Sequence, residues 1–453
     1  MPAVAPPILI IGGGLAGMSA AVALESAGLS VTLLESRRSL GGRAGSFDEP
    51  TTGEQLDNCQ HVLLGCCTNL IDFYHRIGVS DRIHWESTIR FLDASGRPFS
   101  LSAIAGLPAP LHLSASLLRF GPLSWTEKVA ATRAMLSMLT LGRSGRAALA
   151  DISFGDWLDA HGQPPSLLAK LYDPVLVGSL NEQCRLASAD YAIKVFQDAL
   201  LMNRRGFPLG LPACPLQQLY ERLPCRDVRL GVRVSDLQWT GGRVTGVRLM
   251  YGQILSANVV LLATNHHTVR RWLPEGMLPG LKQLQNVPIL GAHLWFDRPI
   301  MTATHAALIQ GPLQWIFRKD STGRALHGVI SAARDWIDVP KEHCLELFAA
   351  QVRALFPPAR DAKLERGVIV IEKRATFSPL PGIDCLRPPQ QTPVPNLYLA
   401  GDYTQTGWPA TMEGAVRSGY LAAEAICRRY RTKNSNFLQP DLPLEWPARA
   451  LSP

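Results

Sequence analysis

A glycine-rich turn between a buried strand and a helix constrains this chain more than any other feature. Ile8-Leu9-Ile10-Ile11 is an unbroken apolar run, as expected of a parallel strand buried on both faces. Gly12-Gly13-Gly14-Leu15-Ala16-Gly17 follows, then good helix formers from Met18 to Ala27, stopped by Gly28. A second strand, Ser30 to Leu34, ends at Glu35. In this spacing Gly12 permits the tight turn, Gly14 lets a pyrophosphate approach the backbone, and Gly17 packs helix on strand. The helix start offers free N–H groups and the positive end of its dipole to phosphates. Glu35 stands where an acid accepts hydrogen bonds from ribose hydroxyls and repels a phosphorylated ribose. These residues predict an α/β domain that binds a dinucleotide.

The rest of that sheet is scattered along the chain. Val259 to Ala263 and Asn396 to Ala400 are further apolar strands, and a helix is expected from about Thr411 to Arg428. Val228 to Val234 and Arg243 to Met250 read as strands around Gly241-Gly242, in a hairpin or small meander. At 453 residues the chain has room for two or three domains, and two suffice. One is discontinuous, over 1–95, 208–270 and 391–430. A substrate domain fills 96–207 and 271–390, and 431–453 is a tail. In the substrate domain, Leu101 to Leu118 and Val129 to Leu141 are apolar and helix-prone, whereas Ile289 to Phe296 and Val368 to Ile371 look like strands.

The net charge of +8 comes from scattered arginines with no basic run and no interleaved aromatic platform, which argues against nucleic acid as a partner. Nine cysteines, an odd number, and an N-terminus without a basic signal region point to reduced thiols in a cytoplasm. Cys59, Cys66 and Cys67 lack the spacing of a zinc site, so no metal is expected. No stretch reaches the ~18 apolar residues needed to span a bilayer.

Beyond Glu35, Ser39-Leu40-Gly41-Gly42-Arg43 again lets the backbone pass close to a cofactor, and Arg43 can neutralise pyrophosphate charge. This stretch and the N-terminal turn together resemble the FAD-binding amine oxidase and phytoene desaturase superfamily. Leu399-Ala400-Gly401-Asp402 followed by Pro409-Ala410-Thr411-Met412-Glu413-Gly414 resembles its second flavin motif. The resemblance implies a Rossmann-like FAD-binding domain with an interleaved α+β substrate domain. It places Gly12, Gly14, Leu15, Ala16, Gly17, Glu35, Ser36, Gly42, Arg43, Val234, Gly401, Asp402, Thr411 and Met412 on FAD, with Asp402 at the ribityl hydroxyls and the Met412 amide at the pyrimidine ring. No cysteine lies between Thr404 and Met412, so the cofactor is expected to be non-covalent.

A narrower likeness comes from Asp57-Asn58-Cys59-Gln60-His61 and from Arg374 to Gly382 leading into Gly407-Trp408-Pro409. These segments resemble the hydroxysqualene dehydroxylases of squalene and hopanoid biosynthesis, also called squalene-associated FAD-dependent desaturases. That family implies a long-chain triterpene substrate, hydride from reduced flavin, an unidentified reductant for the flavin, and a proton donor for the departing hydroxyl. His61 and Asp57, then Glu413, are the expected donors or relays. The apolar stretch Leu101 to Leu141 is expected either to line a hydrocarbon tunnel or to make peripheral contact with the inner face of the cell membrane. A carotenoid-type desaturase, which takes hydride from its substrate, and a flavin amine oxidase share the cofactor motifs.

Overall fold

The computed structural model describes residues 8–452, so the reading of Met1 to Pro7 as free of a leader lies outside the described residues. Five parallel strands lie in the spatial order Asp227–Arg229, Val31–Leu34, Ile8–Ile11, Val259–Leu262 and Leu397–Leu399. Ile8 stands opposite Val31 on one side and Val259 on the other. The strands at 8–11, 31–34 and 259–262 are buried along their whole length, which is why they read as continuous apolar runs. Helix Leu15–Ser26 leaves the first strand and packs against helix Met412–Tyr430, bringing the two ends of the sequence together.

One expected strand divides in two. Asp227–Arg229 joins the edge of the parallel sheet, where Thr32 donates to the Asp227 carboxylate at 2.8 Å. Gly231, at φ +70°, then turns the chain into the hairpin of Val234–Thr240 and Arg243–Leu249. The Gly241-Gly242 turn forms as expected, with φ of 56° and 71°.

A seven-stranded sheet carries the other half of the molecule, in the order Leu364–Phe377, Asn286–Phe296, Ala325–Ile330, Trp315–Arg318, His305–Leu308, Thr88–Leu92 and Pro98–Ser102. The chain therefore enters this sheet at Thr88, ahead of the expected boundary at 96. Side chains alternate between its faces. Leu290, Ala292, Leu294 and Phe296 pack into a core with helix Lys341–Leu355. Ile289, Gly291, His293 and Trp295 consequently turn to the opposite face, toward the loop that follows Asp57.

Much of the helix-prone stretch 101–118 is not helical. Leu101 lies in the strand Pro98–Ser102, and the one α-helix of the stretch is the short Ser114–Arg119. The longer helix is Trp125–Leu141, started by a Ser124 and Glu127 capping box. The tail is docked rather than loose. Glu445 accepts from the Ala109 and Arg204 amides at 2.5 and 3.3 Å, ahead of helix Trp446–Leu451.

Candidate active site

The cofactor cleft begins at the turn after Ile11. Gly12 has φ +115°, and a Cβ there would lie 2.4 Å from the Ala263 carbonyl oxygen. Gly17 is tighter still, with its missing Cβ 1.9 Å from the Gly12 oxygen, whereas a Cβ on Gly14 would meet nothing within 4 Å. Gly12 and Gly17 therefore serve packing, and Gly14 faces open space. Among the described residues no side chain caps the helix start, so the helix opens toward that space through Leu15 and Ala16.

Glu35 is buried against this turn. Its carboxylate accepts from the Gly13 amide at 2.6 Å, the Arg37 amide at 2.7 Å and the Ser36 hydroxyl at 3.0 Å. Ser36 thus points at Glu35. The Val232 amide donates to the Glu35 carbonyl at 2.9 Å, which sets the start of Val234–Thr240 beside the acid. The Gly41 amide donates to the Gly13 carbonyl at 2.9 Å, and Gly42, at φ +61°, lies against Gly14.

Arg43 spans the cleft. Its guanidinium donates to the Asp402 carboxylate at 2.7 Å and to the Ala375 carbonyl at 2.6 Å. The two expected cofactor ligands thus meet each other across the groove. Gly401 holds φ +152°, and its amide donates to the Ser418 hydroxyl at 2.7 Å. Thr411 caps helix Met412–Tyr430 by accepting from the Gly414 amide at 3.1 Å, leaving Met412 as the first helical residue. Arg43, Asn265, His266, Arg374, Asp402 and Tyr403 line one hollow of the cleft. His266 Nε2 and the Tyr403 hydroxyl are buried there without a partner among the described residues. Unpaired polar atoms, open space before Gly14 and an uncapped helix start suit a polyanionic, hydroxyl-rich cofactor.

The three expected proton donors fare differently. Glu413 is fully buried and accepts from the Asn69 amide at 3.2 Å, Asn69 Nδ2 at 2.9 Å and the Leu70 amide at 2.7 Å. Its carboxylate is committed to the start of helix Thr68–Arg76, although burial pushes its carboxyl above the usual range. Asp57 is also a tie. It accepts from the Ser46 hydroxyl at 2.8 Å, the Leu216 amide at 2.9 Å and Lys319 Nζ at 3.1 Å. His61 Nδ1 lies 2.9 Å from the Cys59 carbonyl, which can only accept, so Nδ1 carries the hydrogen. Burial holds this imidazole below the usual histidine range, and a neutral ring then leaves Nε2 as a bare acceptor. His61 can pass a proton through Nε2 only after first taking one up.

Three further polar groups join Asp57 and His61, two from strands of the seven-stranded sheet and Lys319 from just past the strand Trp315–Arg318, and the sequence reading missed all of them. Lys319 pairs with Asp57 and donates to Gln60 at 3.0 Å. His293 Nε2 lies 3.0 Å from the Asp57 carbonyl, and its Nδ1 lies 3.2 Å from Nδ1 of His327. Strand alternation places both histidines on the face toward this loop, a signal readable once the strands are assigned. Beside them lies an apolar layer of Cys59, Leu209, Leu211, Phe317 and Val329, with Ile289 and Trp315 packed on it.

The family model for flavin-containing amine oxidoreductases matches residues 15–427. The chain belongs to this family. It binds FAD and is an FAD-dependent oxidoreductase. A 15-cis-phytoene desaturase from Synechococcus elongatus is 27% identical over 93% of this chain and 96% of its own length. The zeta-carotene desaturase of Zea mays is 25% identical over 93% of this chain and 83% of its own. Among solved structures, an oxidoreductase from Methanosarcina mazei superposes with a TM-score of 0.70 at 16% identity, covering 93% of this chain and 100% of that one. Cyclohexylamine oxidase from Brevibacterium oxydans gives 0.66 at 17%, covering 94% and 100%. These two establish the same fold.

Proposed function

We propose that this oxidoreductase reduces hydroxysqualene to squalene, within squalene and hopanoid synthesis. The observation that carries the reading is the buried apolar layer between the 58–62 loop and the sheet, bordered on one side by His293, His327 and His61. Parted from the loop, such a wall would suit a long hydrocarbon bearing a single polar group. Reduced FAD, when bound, supplies the hydride: a carbon–oxygen bond breaks, a carbon–hydrogen bond forms, and the oxygen leaves with an added proton as water. The protein's own part is to hold the chain, keep water from the cation formed on ionisation, and bring the proton. His61 Nε2 is the relay atom open to that task.

The curated relatives favour a second reading, in which a carotenoid-type substrate gives hydride to the flavin. Direction separates the two. Anaerobically reduced holoenzyme mixed with hydroxysqualene is expected to reoxidise its flavin and release squalene, as followed by stopped-flow absorbance and product extraction. Bleaching of oxidised flavin by a more saturated isoprenoid would select the desaturase reading instead.

Such a substrate dissolves in a bilayer, and the same proposal places the protein on a membrane surface. Among the described residues no helix is long and apolar enough to cross one. Trp125, Val129 and Leu136 share one side of helix Trp125–Leu141 and are exposed, as are Leu111, Leu118 and Trp446 on segments that pack nearby. Exposed Arg119 and Arg133 add positive charge. The protein is expected to sediment with anionic vesicles, less so as salt rises, and Trp125→Ser with Val129→Ser to weaken it. Binding unchanged in that double variant would remove this face from the proposal.

A further inference from the structure

His293 and His327 form a hydrogen-bonded pair whose tautomers the structure fixes. The Asp57 carbonyl can only accept, so His293 Nε2 carries a hydrogen, and in a neutral ring its Nδ1 is an acceptor. The nitrogen facing that acceptor, His327 Nδ1, must therefore donate. This leaves His327 Nε2 as a bare lone pair. It is buried and has no partner among the described residues. Burial, with His293 adding to it, holds His327 well below the usual histidine range, consistent with a neutral ring.

The surroundings say what this acceptor would take. His327 lies opposite Phe317 and two residues before Val329, at the border of the apolar layer. A Cβ on Gly291 would lie 2.9 Å from Nε2 and 3.4 Å from the Asn58 carbonyl oxygen, so any side chain at 291 would press on this nitrogen. A long hydrocarbon offers no feature to fix its register along an apolar wall except its one polar group. An unpaired acceptor beside such a wall rewards a ligand that brings a hydroxyl and penalises one that lacks it.

We propose that His327 Nε2 accepts the hydrogen bond of the substrate's hydroxyl group, setting which carbon of the chain faces the flavin. This deepens the alcohol-reduction reading and rests on it. The nitrogen is buried under Gly291 and the segment that begins at Asn58, so the alcohol would reach it by displacing residues 58–62 while Asp57, in its strand, keeps its carbonyl on His293. The product has lost its hydroxyl and leaves the acceptor unpaired, which favours its release.

The test uses oxidised holoenzyme, titrated with hydroxysqualene or with squalene in detergent micelles, with binding read from the flavin absorption band. Wild type is expected to prefer the alcohol by roughly tenfold. His327→Leu is expected to lose that preference by weakening the alcohol alone, at unchanged FAD content, and His327→Gln to keep part of it. Nitrogen-15 spectra of wild type labelled at histidine supply a second measurement that needs no variant to fold. They are expected to show His327 as the Nδ1–H form, with its Nε2 signal shifting on alcohol and not on squalene. An Nε2–H form, a signal that moves with neither ligand because ordered water alone fills the site, or equal alcohol affinity in His327→Leu would overturn the proposal. Alcohol that binds through His327 but is never reduced leaves the acceptor standing and removes the reaction reading. Alcohol reduced at undiminished affinity by His327→Leu does the reverse.

Discussion

Gly17→Ala is expected to yield protein that neither retains flavin nor resists denaturant, while Gly14→Ala is expected to fold normally and lose flavin alone. At position 17 the new methyl would lie 1.9 Å from the Gly12 oxygen and 3.2 Å from the Ala263 Cβ. Neither neighbour is a flexible side chain that can swing aside. The Gly12 amide is bonded to the Leu34 carbonyl at 2.8 Å, so moving this turn strains the first two strands together. Overpacking of a well-filled core costs about 1–3 kcal/mol, and a clash with fixed backbone lies at or above the top of that range. At position 14 the methyl meets no protein atom within 4 Å, and φ of −78° suits alanine. Its harm falls on whatever approaches that backbone. The ratio of flavin to protein absorbance and the urea midpoint read the two effects separately. Full flavin occupancy in Gly17→Ala would show that the close approach is not needed.

The contrast between these glycines explains what the sequence could reveal. The cofactor half of the site is written in short segments whose constraints are local: a turn, a helix start, an acid at a strand end. Glycine in such places reports a requirement of the backbone, so the strand, turn and helix pieces that built the parallel sheet were readable before their partners were known. The reading failed where tertiary pairing overrode local pattern. Asp227–Arg229 looked like half of a hairpin because the parallel partner that claims it, Val31–Leu34, lies far away in sequence. Leu101 to Leu118 looked helical because leucines and alanines favour helices whether or not a neighbouring strand recruits them. The substrate side was harder still. Lys319 reaches Asp57 across 262 residues of sequence and His293 reaches it across 236. Nothing local distinguishes His293 from other side chains on alternating strands, or Lys319 from other lysines at strand ends. Glu413 misled for the opposite reason: its motif is local, but its partners Asn69 and Leu70 are 344 and 343 residues away and turn the acid into a helix anchor.

Asp57 offers the sharpest test of whether a polar residue near the flavin does chemistry or architecture. Its carboxylate gathers a hydroxyl from Ser46, an amide from Leu216 and the ammonium of Lys319, and is itself buried. Deleting it leaves a cation and a buried amide without their acceptor, and breaking one side of a buried pair typically costs about 3–5 kcal/mol. Lys319 keeps a quarter of its side chain exposed, so water offsets part of that loss and the lower end is expected. Asp57→Ala is therefore expected to lower the urea midpoint sharply, and Lys319→Met alone to do so less, because Ser46 and Leu216 still satisfy the carboxylate. The pair Asp57→Ala with Lys319→Met is expected to recover stability relative to Asp57→Ala, since it removes the stranded charge, and the difference measures their coupling. Asp57→Asn discriminates the two roles. An amide retains one acceptor oxygen but presents a donor where the carboxylate accepted, so a tie loses stability, with turnover falling only as far as the loop carrying Cys59 and His61 loosens. A proton donor would instead lose turnover by roughly 10²–10⁴-fold at unchanged stability. Observing that second pattern would return Asp57 to the chemistry and leave the Lys319 ion pair as its means of orientation.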